Sequence, residues 1–176
     1  MPVRQPPTFP TRKQVPALWL LSDARNDAVL EQALRRLPRG SGFVFRHYHL
    51  DAPTRQARFR ALRRIARACG HVVILAGSRE EARRWGADGS YGAGQDLATA
   101  HSLREVAAAN RAGAWAVLLS PAFPTRSHPG AATLGPVRFR LLAARALPPV
   151  IALGGMNRDA ARRLCWPRWA AIDGLS

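Results

Sequence analysis

Three stretches of this chain, "HVVILAG", "AWAVLLS" and "PVIALGG", carry apolar residues at consecutive positions, and this constrains the fold more than any other feature. A strand with one wet face alternates apolar and polar side chains. A strand covered on both faces does not need to, and such strands belong to parallel sheets flanked by helices. Each stretch is followed by an amphipathic segment, as repeated β-α units with right-handed crossovers require. "ALWLLSD", "GFVFRHYHL", "ADGSY", "LATAH" and "WAAIDGL" complete a set of strand candidates that suits an eight-stranded parallel (β/α)8 barrel of TIM type. Such barrels usually take roughly 200 to 250 residues, and this chain has 176. The expectation is therefore a minimal α/β barrel, shortened around strands 4 and 5 near residues 92–96 and lacking the last helix. An open, doubly wound sheet is the alternative.

The intervening segments carry helix signals. Ser78 with Glu81 and Ser102 with Glu105 have capping-box spacing, Gly113 offers a stop, and Asn157 offers an N-cap. In "RQARFRALRRIARACG", Phe59, Leu62, Ile65, Ala66 and Cys69 share a face, while Arg60, Arg63, Arg64 and Arg67 point away from it. The formal charge of +16 is almost entirely arginine, Lys13 being the only lysine. No aromatic interleaving or zinc-ligand spacing accompanies it, so nucleic-acid binding is the minority reading. No apolar run approaches the roughly 18 residues that a membrane helix needs. The proline-rich residues 1–16 lack a signal-peptide core and read as a loose lead-in to one domain over 17–176, with the cytoplasm as the expected location. Cys69 and Cys165 are expected to be reduced core thiols.

In either architecture a ligand belongs at the carboxyl ends of the strands. Arg46, Asp96, Thr99 and the loop "SPAFPTRSHPGAATLGP" fall there. In that loop Thr125, Arg126, Ser127 and His128 suggest a phosphate clasp. Gly154 and Gly155 follow a buried strand and precede a helix, so their backbone N–H groups suit an anion, a turn or packing role being the alternative. His47 and His49 alternate and would share a strand face, with no third metal ligand at a recognisable spacing.

Together "LLSPAFPTRSHPG", Leu134-Gly135 and "PPVIALGGMN" resemble the thiamine phosphate synthase/TenI family. "LWLLSD", "GADG", "TAHSLREVAAANRAGA" and "WAAIDGL" support the resemblance in the same order along the chain. The family folds as an eight-stranded β/α barrel. The resemblance implies a role in thiamine (vitamin B1) biosynthesis: a pyrimidine methyl diphosphate loses diphosphate, and the nitrogen of a thiazole phosphate captures the carbocation. Mg²⁺ and protein cations would then hold the departing diphosphate.

Carried over by position, the resemblance gives Arg46, Thr99, Thr125, Arg126, Ser127 and His128 to the diphosphate, Gly154 and Gly155 to the thiazole phosphate, and Asp96 to Mg²⁺. Ala76, Gly77 and Ser78 stand where the family has Asn-Asp-Asp, so the metal site reads as degenerate. Asp173 replaces a phosphate-binding Ser, and Pro121 replaces the His of the TenI isomerases. The expectation is a transferase-type barrel with phosphorylated small molecules as partners, the alternatives being a non-catalytic or regulatory phosphate-binding barrel and an arginine-rich nucleic-acid binder.

Overall fold

A computed structural model describes residues 15–125, 130 and 132–175. Eight strands close into a parallel barrel in sequence order: β1 (Leu18–Leu21), β2 (Gly42–Phe45), β3 (Val72–Ala76), β4 (Gly89–Tyr91), β5 (Leu97–Ala100), β6 (Ala116–Leu119), β7 (Val150–Ala152) and β8 (Trp169–Ala171). Closure is made between β1 and β8, with Trp19 opposite Ala170. The open sheet is thereby excluded. The helices are α1 (Leu30–Arg36), entered through a 3-10 turn at Ala24–Val29, α2 (Ala52–Ala68), α3 (Arg79–Trp85), α4 (Leu103–Arg111), α5 (Gly135–Ala143) and α6 (Arg158–Leu164).

Alternation along the strands sorts the side chains. Trp19, Leu21, Val44, Ile74, Leu97, Ala116, Leu118, Ile151 and Ala170 fill the barrel interior. Leu20, Phe43, Phe45, Val73 and Leu75 face outward beneath α1 and α2. Gly42 is required by this filling, because a Cβ there would lie 2.1 Å from the Trp19 ring. Val15, 6% exposed, belongs to the interior cluster and Pro16 accepts from the Trp19 indole at 2.8 Å. The barrel thus starts inside the expected lead-in; residues 1–14 lie outside the described residues.

The trimmed stretch is where the sequence placed it. No helix separates β4 from β5, and they pair only through Tyr91 and Leu97. The short connection covers its own strand instead: Asp96 accepts from the Ser90 N–H at 3.0 Å and the Ser90 hydroxyl at 2.7 Å, and Gln95 accepts from that hydroxyl at 2.9 Å. Among the described residues no helix follows β8, and none is long and apolar enough to cross a membrane.

Several local expectations are corrected. Ser78 and Ser102 cap their helices, but Glu81 pairs with Arg55 and Glu105 accepts from the His101 N–H, so neither box is reciprocal. The reciprocal box is Asp23 with Asn26. Arg63 and Arg67 are not purely solvated: Arg63 donates to Trp85 O and Gly86 O, and Arg67 pairs with Asp88. Cys69 is half-buried and Cys165 exposed, so Cys165 is not a core thiol.

Candidate functional site at the barrel mouth

Arg46 follows the last residue of β2, two positions beyond the inward-facing Val44. Its backbone N–H donates to Ser22 Oγ at 2.8 Å, and Nη2 donates to Asp23 Oδ2 at 2.9 Å. The guanidinium lies across the mouth beside the Tyr91 phenol at the end of β4. Burial raises the Tyr91 pKa, and Arg46 pulls it the other way. The buried Nε of Arg46 has no hydrogen-bond partner among the described residues. An unsatisfied buried donor is costly, and an anionic acceptor would relieve it.

The backbone of Arg46 is fixed by a Ser-His-Asp chain that spacing alone did not reveal. Ser22 Oγ lies 2.7 Å from His47 Nδ1, and His47 Nε2 lies 2.7 Å from Asp27 Oδ1. Asp27 also receives Arg58, which makes a second ion pair with Glu31. Burial works to raise the Asp27 pKa, but the hydrogen bonds from His47 and Arg58 hold it below the usual carboxylate value. Burial pushes the His47 pKa down despite Asp27. The neutral ring therefore donates from Nε2 and accepts the Ser22 proton at Nδ1, leaving Ser22 Oγ free to accept from Arg46. Ser22 is fully buried, so this chain is a strut and not a nucleophile. The expected face shared by His47 and His49 on a strand is corrected: β2 ends at Phe45, and His47 turns the backbone at φ 39°. The two rings are 5.1 Å apart, while His47 stacks on Phe45 at 4.6 Å.

Across the mouth, β6 and β7 are locked through backbone. Ala122 and Phe123 donate to Leu153 O and Gly154 O at 2.8 and 3.1 Å. Gly154 and Gly155 have φ of 91° and 62°; a Cβ would lie 2.7 Å from Pro121 Cα at the first and 2.3 Å from Pro124 O at the second. Both glycines are thus needed to let the opening loop lie on β7, which accounts for them without a ligand. Thr125, next in the chain after Pro124, is half-buried. Arg126, Ser127 and His128 lie outside the described residues.

Thr99 is half-buried and shares the inward alternation of Leu97, opposite Leu118. His101 Nδ1 sits 2.9 Å from Ser120 O at the next strand end. Arg25 bridges Asp23 at 3.0 Å and Asp173 at 3.3 Å, so Asp173 carries a counter-charge.

Asp96 is not brought to this group. As the neighbour of inward-facing Leu97 it faces outward, toward α3, and lines a small depression of about 200 Å³ with Arg79, Arg83 and Asp88. One oxygen pairs with Arg79 Nε at 2.9 Å and the other holds Ser90. Ala76 and Gly77 supply no side-chain oxygen at the end of β3, and Ala76 O accepts from Arg55 at 2.5 Å. Among the described residues no group of three or more His, Cys, Asp or Glu side chains is placed to hold a metal. Mg²⁺ requires one or two carboxylates that it can share with substrate oxygens, and these residues do not fit it.

The family model for thiamine monophosphate synthase matches residues 97–172, from the start of β5 into the exit of β8. Over these residues the chain is similar to the thiamine phosphate synthase/TenI family. The fold agrees over the whole barrel. The structure is similar to a thiamine phosphate pyrophosphorylase from Pyrococcus furiosus, with a TM-score of 0.75, 20% identity, and coverage of 92% of this chain and 87% of that one. It is also similar to a chain from a cube-shaped, porous protein cage designed by fusing symmetric oligomeric domains (TM-score 0.55, 14% identity, 88% of this chain and 62% of that chain). No curated protein matches in sequence. Within this barrel Arg46, Thr99, Gly154 and Gly155 lie at the carboxyl ends of β2, β5 and β7, while Asp96 faces the helix layer.

Proposed function

We propose that this protein serves thiamine synthesis as a phosphate-ligand-binding barrel, taking a phosphorylated thiazole or the phosphorylated product at its mouth without a resident Mg²⁺. The observation that carries this reading is the placement of Asp96, which faces the helix layer with both oxygens engaged by Arg79 and Ser90. Departure of diphosphate puts growing negative charge on its oxygens, and a metal is the largest stabilising charge available for that step. Arg46 alone is a weak substitute, since Asp23 already shares its guanidinium.

Binding asks less of the site. A bound phosphate needs donors, and Arg46 Nε, the Thr99 hydroxyl and the backbone near Gly155 are the groups offered. A retained synthase activity is the second reading, favoured by the unpartnered Arg46 Nε over the mouth. Calorimetry with thiazole phosphate and pyrophosphate, with and without Mg²⁺, separates the two when paired with an assay for thiamine phosphate formation. Metal-independent binding without turnover is the expected result. Turnover that needs Mg²⁺ and is lost in Asp96→Ala would replace the binding reading with the synthase one.

A further inference from the structure

Trp169 opens β8 and, as the neighbour of the inward-facing Ala170, points out of the barrel. Each strand of such a barrel is ordinarily followed by a helix that covers its outer side, but among the described residues none follows β8. Trp169 packs against the cluster that holds Ala160 and Leu164 of α6, and stays half-buried. The face of α6 beside it is open as well. Arg158, Ala161, Arg162 and Cys165 recur at helical spacing along that face, and with Trp166 and Trp169 at its foot they line an open groove of about 680 Å³. Arg163, on the other side of α6, lies 5.1 Å from the centre of the Phe123 ring in the loop between β6 and α5. The groove is therefore on the side of α6 turned away from that loop, toward the uncovered strand.

We propose that this groove, independently of the mouth, docks an amphipathic helix of a partner protein, with its apolar stripe on the tryptophans and its acidic flank on Arg158 and Arg162. Shape and charge carry the two parts. The groove follows the seven residues of α6, about two turns, in the layer where this architecture packs helix against helix. Helices meet such grooves through residues at i, i+3, i+4 and i+7. Ala161 and Cys165 are small, so a neighbouring helix can approach closely. The two indoles supply the apolar area, and the Trp166 N–H is already satisfied by Val150 O at 2.9 Å. The lining holds two guanidiniums and no carboxylate. Arg158 has no carboxylate partner among the described residues. Arg162 has Asp159 at 3.3 Å, with the two side chains 80% and 83% exposed, and a pair so exposed contributes little. Carboxylates on an incoming helix would complement both arginines. A second copy would instead bring the same arginines and another +16 of net charge, and like charges oppose that pairing.

The test is fluorescence anisotropy of the full chain with two labelled peptides of about 15 residues, near the length at which an isolated helix holds in water. Both carry leucine at i, i+3, i+4 and i+7; one has glutamate on the flanking positions and the other lysine. The glutamate peptide is expected to bind the wild type at least about tenfold more tightly than the lysine peptide, and Arg158→Glu/Arg162→Glu to reverse that order. Arg104→Glu/Arg111→Glu makes the same change of net charge on two exposed arginines of α4 and should keep the wild-type order. Ala161→Gln retains a good helix former but puts a longer side chain into the groove, and should weaken the glutamate peptide at least about tenfold. Circular dichroism and cooperative melting verify that each variant folds. An equal reversal in the α4 variant would reduce the effect to net charge and overturn the proposal. An Ala161→Gln protein that binds like the wild type would take the helix off the groove and overturn it too. So would binding of neither peptide, or a wild-type dimer in sedimentation that Ala161→Gln makes monomeric, which would give the groove to a second copy.

Discussion

The two halves of this barrel are held together by different means. From β1 to α3 the connections at the strand ends are ionic and made by side chains: Asp23 with Arg46, Asp27 with His47 and Arg58, Glu31 with Arg58, and Glu81 with Arg55. From β5 onward the corresponding connections are backbone hydrogen bonds and close apolar packing, with the opening loop lying on Gly154 and Gly155. The family model for thiamine monophosphate synthase matches residues 97–172, within this second half. Backbone packing depends on glycines at fixed places, so it leaves a recognisable trace in sequence. Side-chain networks can be rebuilt with other residues on the same scaffold.

The sharpest way to break this contrast is to add one carbon to the second half. Gly155→Ala forces a Cβ into Pro124 O at a left-handed φ. Left-handed backbone costs about 1–2 kcal/mol and overpacking about 1–3 more, so a loss of about 2–5 kcal/mol in urea denaturation is expected. A loss below about 1 kcal/mol would show the two loops to be loosely coupled.

The first half should answer to a charge network. His47→Ala removes the partner of both Ser22 and Asp27 from a strut whose Ser22 and His47 are buried and whose Asp27 is partly exposed. Orphaned buried polar groups cost about 1–3 kcal/mol each, and about 2–3 kcal/mol in total is expected. Ligand affinity at the mouth should fall with it, because Ser22 also seats Arg46. A variant with unchanged stability would deny the strut any role.

Acid should distinguish the halves without mutation. Because the His47 pKa is lowered in the fold, the unfolded chain takes the proton first. Stability is then level above about pH 6.5, the reference His value, and declines as pH falls from there toward the folded value. In a second window, below about pH 4, Asp23, Asp27 and Glu31 contribute. Asp23 is raised by burial but lowered overall by its hydrogen bonds from Arg25, and Glu31 is lowered first by its hydrogen bond from Arg58. Stability from these three is present above their unfolded values and lost as pH falls through their depressed ones. His47→Ala should abolish the upper window and keep the lower. Stability measured by denaturant at intervals from about pH 8 to about pH 2 spans both windows and checks this, and an unchanged upper decline would assign it to another group.

The barrel was legible in the sequence because the signals that build it are local. Runs of buried residues marked the strands, and the lack of any helical period between "GSY" and "LATA" marked the missing helix. The glycine pair was located for the same reason. The Ser22–His47–Asp27 chain was not legible, since it joins residues 25 and 20 positions apart through a turn that alternation cannot foresee. Asp96 is a different case. Its neighbour Leu97 faces the barrel interior, and alternation alone would have turned the carboxylate outward.

That carboxylate gives the smallest expected effect and the finest test of the contrast between the halves, because it sits at their seam. Asp96→Asn removes the charge facing Arg79, whose side chain is 45% exposed, while the amide oxygen can still accept from Ser90. An exposed ion pair contributes about 0.2–1 kcal/mol, less at high salt, so a loss of about 0.5 kcal/mol is expected at low ionic strength. Asp96→Ala also strips the buried Ser90 N–H of its acceptor and leaves the Ser90 hydroxyl with Gln95. It should cost about 1–2 kcal/mol more and loosen the β4–β5 pairing, readable as faster amide exchange at Tyr91 and Leu97. If Asp96 instead anchored Mg²⁺, millimolar Mg²⁺ would raise the melting temperature of the wild type and not of Asp96→Asn, by the linkage of ligand binding to folding. The outward placement predicts equal responses to Mg²⁺ in both proteins and a stability difference that shrinks with added salt.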